Sequence, residues 1–264
     1  MDQQEKIGLV VEGGGMKCAY NAGILDAFLD NGITFDYCIG VSGGAGNLAS
    51  YLAGQRGRNL RFFTEHIHSS DYFGIKSLLK TGNLFGLQYI YGELTNSTGK
   101  DPIDFSAIQR NPTKYQVVVT NALTGKAEYF GKEAMKQDDY RLFMASSAIP
   151  AACRPVLLRG VPYFDGGLAD AIPVRHALEE GCDRLVVILS KNRDYVRKPQ
   201  NMRPLYTALC RKYPKVISAI ENRHITYNRN FQDVFSLERD GTAFVFAPSQ
   251  PIHVGTYSMR EEDE

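Results

Sequence analysis

Near its start the chain repeats one arrangement twice, and that repetition restricts the fold more than any other feature of the sequence. Residues 7–11 form a short apolar run rich in β-branched side chains. Glycines follow at once, and residues 20–28 then carry apolar side chains at helical spacing until Asn31-Gly32 stops them. Residues 37–41 form a second buried-type strand, closed by Ser42-Gly43-Gly44, and residues 45–53 alternate small and apolar residues at helical spacing. Strand, glycine turn and helix in succession predict an α/β fold: a mostly parallel central sheet with helices packed on its faces. Further strands are expected at 115–121, 127–130, 184–190 and 243–247, and helices at 139–147 and 174–180. Residues 69–102 are rich in Gly, Tyr, Phe and Leu without a sustained period and read as an excursion from the core. No internal repeat or low-complexity tract interrupts the pattern, so the 264 residues are expected to form one domain, with residues 191–264 its least patterned part and residues 260–264 a frayed tail.

Composition narrows the class. Thirty basic and twenty-nine acidic side chains leave a net charge of +1, which argues against nucleic acid as a partner. Cys18, Cys38, Cys153, Cys182 and Cys210 are scattered without the short paired spacings of a zinc or dithiol site, so reduced thiols in a cytoplasm are expected. The first residues lack the basic cap and apolar run of a secretory signal. No stretch approaches the roughly 18 apolar residues of a membrane span, so membrane contact is expected to be peripheral.

Three places carry chemistry. Gly40-Val41-Ser42-Gly43-Gly44 is a Gly-x-Ser-x-Gly turn between strand and helix, the setting that lifts a serine hydroxyl out of a sheet edge as a nucleophile. The pentapeptide alone reads first as a tight turn with a surface serine; its place in the strand-turn-helix order favours the nucleophile. Gly13-Gly14-Gly15-Met16-Lys17 follows the first strand, and its flexible backbone can aim consecutive amides at a developing oxyanion, where one donor is commonly worth about 2.7–4 kcal/mol. The same glycines also suit a dinucleotide phosphate loop with Asp36 downstream, although Cys18 stands where that motif's third glycine belongs. Phe164-Asp165-Gly166-Gly167 supplies a carboxylate that either acts as a general base or merely turns the chain.

In this order the three elements resemble the patatin-like phospholipase family, with its Gly-Gly-Gly-x-Arg/Lys loop, Gly-x-Ser-x-Gly elbow and Asp-Gly-Gly/Ala turn. The resemblance also takes in Ala145-Ser146-Ser147-Ala148-Ile149-Pro150 and residues 163–173, and spans about residues 7–190. It implies a three-layer α/β/α architecture and a Ser-Asp dyad, with Ser42 as nucleophile, Asp165 as base, and the amides of Gly14, Gly15 and Met16 as the oxyanion hole. Cys18 departs from the family's usual glycine, and Arg154 lies where a less charged residue is common.

A dyad needs no histidine. His176, His224 and His253 follow the acid in the order of a triad but carry no local signature; His66 and His68 precede it. The substrate expected is a phospholipid, a lysophospholipid or another acyl ester, hydrolysed through an acyl-Ser42 intermediate with neither cofactor nor metal. An acyltransferase using the same dyad and a non-catalytic lipid- or nucleotide-binding module are the alternatives. For the acyl chain, Phe73, Leu78, Leu79, Leu84, Phe85, Leu87, Tyr89 and Ile90 offer either a channel or a secondary packing cluster. Lys17 and Arg154 are candidates to orient an anionic head group, Arg154 equally a partner for a nearby carboxylate. Basic residues exceed acidic ones between 191 and 229, as on a lipid-facing surface or, more commonly, a solvated helix face. Oligomeric state leaves no mark on the sequence.

Overall fold

Alternation of side chains along the first three strands divides the molecule into layers. The computed structural model describes residues 5–253. In chain order its elements are β1 (Ile7–Val11), α1 (Cys18–Asp30), β2 (Tyr37–Val41), α2 (Gly43–Leu52), α3 (Arg58–Thr64), α4 (Ile75–Thr81), α5 (Phe105–Arg110), β3 (Lys114–Asn121) and β4 (Ala127–Gly131). There follow α6 (Arg141–Ser147), β5 (Val156–Leu158), β6 (Val161–Asp165), α7 (Val174–Glu179), β7 (Arg184–Ile188), α8 (Arg203–Leu209), α9 (Pro214–Arg239) and β8 (Ala243–Phe246). Leu9, Val11, Cys38, Val117 and Val119 point to one face of the sheet, where α1, α2, α5 and α6 cover them with Leu25, Leu48, Ile108 and Phe143. Val10, Ile39, Val41, Val118 and Val187 point to the other, beneath α7 and α9 with Val174, Tyr227, Phe231 and Val234. The result is an α/β/α sandwich around a mixed, mostly parallel sheet.

The eight strands run β5-β6-β3-β2-β1-β7-β8, with β4 also paired to β3. β1 is parallel to β2 and β7, β2 to β3, and β7 to β8; the pairs of β3 with β4, β3 with β6, and β5 with β6 are antiparallel. From β1 the chain passes to β2 on one side and later returns to the other side at β7. In parallel sheets a crevice opens beyond the carboxyl ends of the strands at such a reversal. Gly13 to Gly15, Ser42, and Ser190 with Lys191 all follow those ends.

One detail of pairing brings distant sequence together. Residues 114–118 of β3 pair with β2, residues 119–121 with β6, and both ranges overlap those paired with β4. A strand has two edges, so β2 and β6 share one edge of β3 and meet there nearly end to end. Val41 lies opposite Val118, and Asp165 opposite Val119.

The strands and helices expected from the sequence form within two or three residues of their expected ends. β5, β6, α3, α4, α5, α8 and the 26-residue α9 lie outside those expectations. The expected excursion carries α4 and a short π-helix at Gln88–Leu94. The tail at 260–264 lies outside the described residues.

Candidate active site

Ser42 leaves β2 with φ 54° and ψ −129°, a region costly to a residue with a Cβ, and its carbonyl accepts the first hydrogen bonds of α2 from Ala45 and Gly46. The sharp turn works only because α2 starts hard against β1. A Cβ on Gly44 would stand 2.6 Å from the carbonyl oxygens of Val11 and Glu12, so only glycine fits. The turn is held from beneath by Ser146, at the end of α6. Its hydroxyl accepts from the Ser42 amide (2.8 Å) and donates to the Val118 carbonyl (2.7 Å), filling the break where β2 gives way to β6.

Across that break stands Asp165. Its amide donates to Ala148 O (2.9 Å), its carbonyl accepts from Thr120 Oγ1 (2.8 Å), and its Oδ1 accepts from the Gly167 amide (2.7 Å). The carboxyl group shares the cleft wall with Ser42, whose side chain is close enough to influence its proton affinity. Only 4% exposed, it is pushed above the ordinary carboxylate range by burial; the charge of Arg223, the Ser42 hydroxyl, the Gly167 amide and the charge of Arg197 hold that rise back.

The triple-glycine loop lies against the same turn, since a Cβ on Gly13 would fall 2.8 Å from that of Ser42. Bonding within the loop begins with the Lys17 amide to Gly14 O (3.3 Å), and the preceding amides of Gly14, Gly15 and Met16, the first donors of a helical start, have no acceptor among the described residues. Cys18 opens α1 as a buried thiol beside Gly43, pushed up to about 12 by burial and therefore inert.

Two cavities meet at Ser42. One is narrow and apolar, about 110 Å³, and runs between Met16, Phe62, Phe63, Ile67, Tyr72, Phe73, Phe85, Leu87, Ile90 and Phe143 towards the buried Arg58. The other is a wider cleft of about 620 Å³, lined by Glu12, Gly13 to Gly15, Asp165, Lys191, Arg197, Arg223 and Tyr227. Of the expected acyl-channel residues, Phe73, Phe85, Leu87 and Ile90 line the first cavity and Leu84 the second. Leu78 and Leu79 face solvent, and Tyr89 packs beside Ile90 and Leu94.

Other sequence candidates fall elsewhere. Lys17 donates to the Ile252 carbonyl and lines neither cavity. Arg154 is exposed over Gly82, lines neither cavity and is in no ion pair with a carboxylate among the described residues. The cations that do face the cleft are Lys191, Arg197 and Arg223, from the basic stretch whose commoner reading was a solvated face. Asp36 accepts from the Ile7 amide at the far end of β1, a whole strand away from the glycine loop, which removes the dinucleotide arrangement. No histidine lines either cavity: His176 stacks on Tyr129 and bonds Gln116, His66 binds Asp101, and His224 lies on α9. Ser146 and Glu12 were not singled out by residue type. Glu12 is 3% exposed, with its oxygens taken by the Ser190 amide and the Tyr227 hydroxyl, both at 2.7 Å.

Comparison with known proteins adds lineage. A domain of unknown function, DUF6363, matches residues 213–263, which include the whole of α9. An uncharacterized protein of Escherichia coli K12, YjjU, is 29% identical over 95% of this chain and 71% of its own length. The solved structure of VipD from Legionella pneumophila aligns with a TM-score of 0.40 and 17% identity over 70% of this chain, which spans half of VipD's length. The patatin-like phospholipase model matches residues 9–178, well over half of the chain and all three of its glycine-flanked turns; the chain belongs to the patatin-like phospholipase family.

Proposed function

We propose that the protein is a serine acyl hydrolase that cleaves carboxylic esters of phospholipids or lysophospholipids. The observation that carries this reading is Ser42 at the junction of an apolar cavity and a polar cleft, with the buried Asp165 carboxyl group beside it on the cleft wall. A lone aspartate is a weak base in water, and burial raises its proton affinity towards what the task requires.

In this mechanism the acyl chain enters the narrow cavity and the ester carbonyl lies over Ser42. Asp165 takes the hydroxyl proton as Oγ attacks, and the amides of Gly14, Gly15 and Met16 receive the charge on the carbonyl oxygen. The proton passes to the leaving alcohol, which departs through the wide cleft. Water then attacks the acyl-serine as Asp165 accepts its proton; the bond between the acyl carbon and Ser42 Oγ breaks, the proton returns to Oγ, and the fatty acid leaves. Five buried, unpaired cysteines suit a reducing cytoplasm, and the exposed Ile75, Leu78 and Leu79 of α4 suit peripheral contact with lipid. Among the described residues no helix is long and apolar enough to cross a membrane.

Hydrolysis of a lysophospholipid and of a short neutral ester by purified protein tests the reading. Ser42→Ala and Asp165→Asn are expected to lower kcat/KM roughly 10³-fold or more on both. Single replacement of each histidine should leave turnover largely intact, and loss of activity in a folded histidine variant would contradict the dyad.

A further inference from the structure

Resting on the hydrolase reading, we propose that Lys191, Arg197 and Arg223 form a phosphate subsite for the leaving half of the substrate, so that the segment following the family-matched region selects glycerophosphate esters over neutral ones. The three cations come from different places and are held before any ligand arrives. Lys191 follows β7 and lies against the glycine loop, its Nζ 3.3 Å from Ser190 Oγ, which itself donates to Gly13 O at 2.7 Å. Arg197 is fixed by a reciprocal pair with Asn228, its amide to Oδ1 at 2.9 Å and its carbonyl to Nδ2 at 3.1 Å, with its guanidinium over the Tyr227 ring. Arg223, on α9, donates Nε–H to Gly167 O at 2.9 Å, two residues from Asp165.

Charge on the cleft wall is unbalanced. Its acidic members are Glu12 and Asp165 against three cations. The Glu12 oxygens are occupied within the wall, and Asp165 accepts from the Gly167 amide and feels the charges of Arg223 and Arg197 without an ion pair to Lys191 or Arg197. Neither Lys191 nor Arg197 is in an ion pair among the described residues. An acyl chain in the narrow apolar cavity leaves its alcohol half on this side of Ser42, and guanidinium groups suit the tetrahedral oxygens of a phosphate. Lys191, Arg197 and Arg223 all lie beyond residue 178, where the family match ends.

The test compares lysophosphatidate with a monoacylglycerol of the same acyl chain, using wild type, Arg197→Gln, Lys191→Met and the charge-keeping Arg197→Lys. Wild type is expected to favour lysophosphatidate, and the ratio of kcat/KM values should fall about tenfold in R197Q and K191M, the loss of one charge-assisted hydrogen bond, with R197K retaining most of it. Glycerol 3-phosphate should inhibit monoacylglycerol hydrolysis competitively, and more weakly in R197Q. No preference in wild type, or a ratio unchanged in both neutralised variants, overturns the subsite. Inhibition by inorganic phosphate together with an unchanged ratio assigns the cations to a free anion and overturns it equally. If neither ester is hydrolysed, the hydrolase reading fails, and calorimetry with glycerol 3-phosphate still judges the subsite: binding weakened in R197Q supports it, and equal or absent binding refutes it.

Discussion

Asp165 carries the clearest consequences at the scale of single residues. Its carboxyl group must be ionised to act as a base, and burial raises its proton affinity. The kcat/KM of a neutral ester should therefore climb with pH through a midpoint above the ordinary 3.8, and Arg223→Gln, by removing the largest opposing charge, should move that limb to higher pH. A profile flat from pH 4 upward would contradict this. Stability has the opposite sign. A carboxyl whose folded pKa exceeds its unfolded value contributes stability below the unfolded value, and that contribution is lost as pH rises through the folded one. Asp165→Asn keeps the shape without the buried charge, so it should unfold at a temperature equal to or above wild type at pH 8 while losing turnover. Ser146 makes a different prediction. Ser146→Ala leaves the Ser42 amide and the Val118 carbonyl without their partner and should cost about 1–3 kcal/mol in denaturant unfolding, with kcat falling alongside.

Elements explain what could and could not be read in advance. β1, β2 and β7 have both faces buried and appear in the sequence as continuous apolar runs ended by glycine, serine or acid, so their identity is local information. β6 is different: Val161-Pro162-Tyr163-Phe164-Asp165 contains a proline and pairs with β3 over three residues only, so nothing local marks it as the strand that delivers Asp165. The nearness of residues 42 and 165 is a property of the shared β3 edge, visible only once strand order is known. In α9 the buried stripe Val216, Ile220, Tyr227, Phe231 and Val234 follows helical spacing, but a long polar face dilutes it and Arg, Asn and His surround it. The charge surplus there was legible, whereas its direction into the cleft depends on where α9 docks. Tyr227 holds that docking to the buried Glu12. Tyr227→Phe should therefore destabilise the fold by about 1.5–3 kcal/mol, read from the denaturant midpoint at constant slope, and an unchanged midpoint would show that Glu12 finds another partner.

The whole molecule extends beyond the region by which its family is recognised. β7 bonds β1 along five residues in the middle of the sheet, β8 extends that edge, and α9 covers one face with Tyr227, Phe231 and Val234. A chain ending at residue 178 exposes one edge of β1 and the face under α9, and is expected to lack a cooperative thermal transition. A sharp melt by circular dichroism from that fragment would show instead that the later residues are an accessory. Where these layers meet, strand order, the break beside β2 and the covering α9 converge on one hydroxyl. Whether that hydroxyl is a nucleophile is tested most directly by treating the folded protein with a fluorophosphonate, weighing the intact chain and mapping the adduct by peptide mass spectrometry. The account predicts one stoichiometric adduct on Ser42, strongly slowed in Asp165→Asn; folded protein that stays unlabelled, or that carries the adduct on another residue, contradicts it.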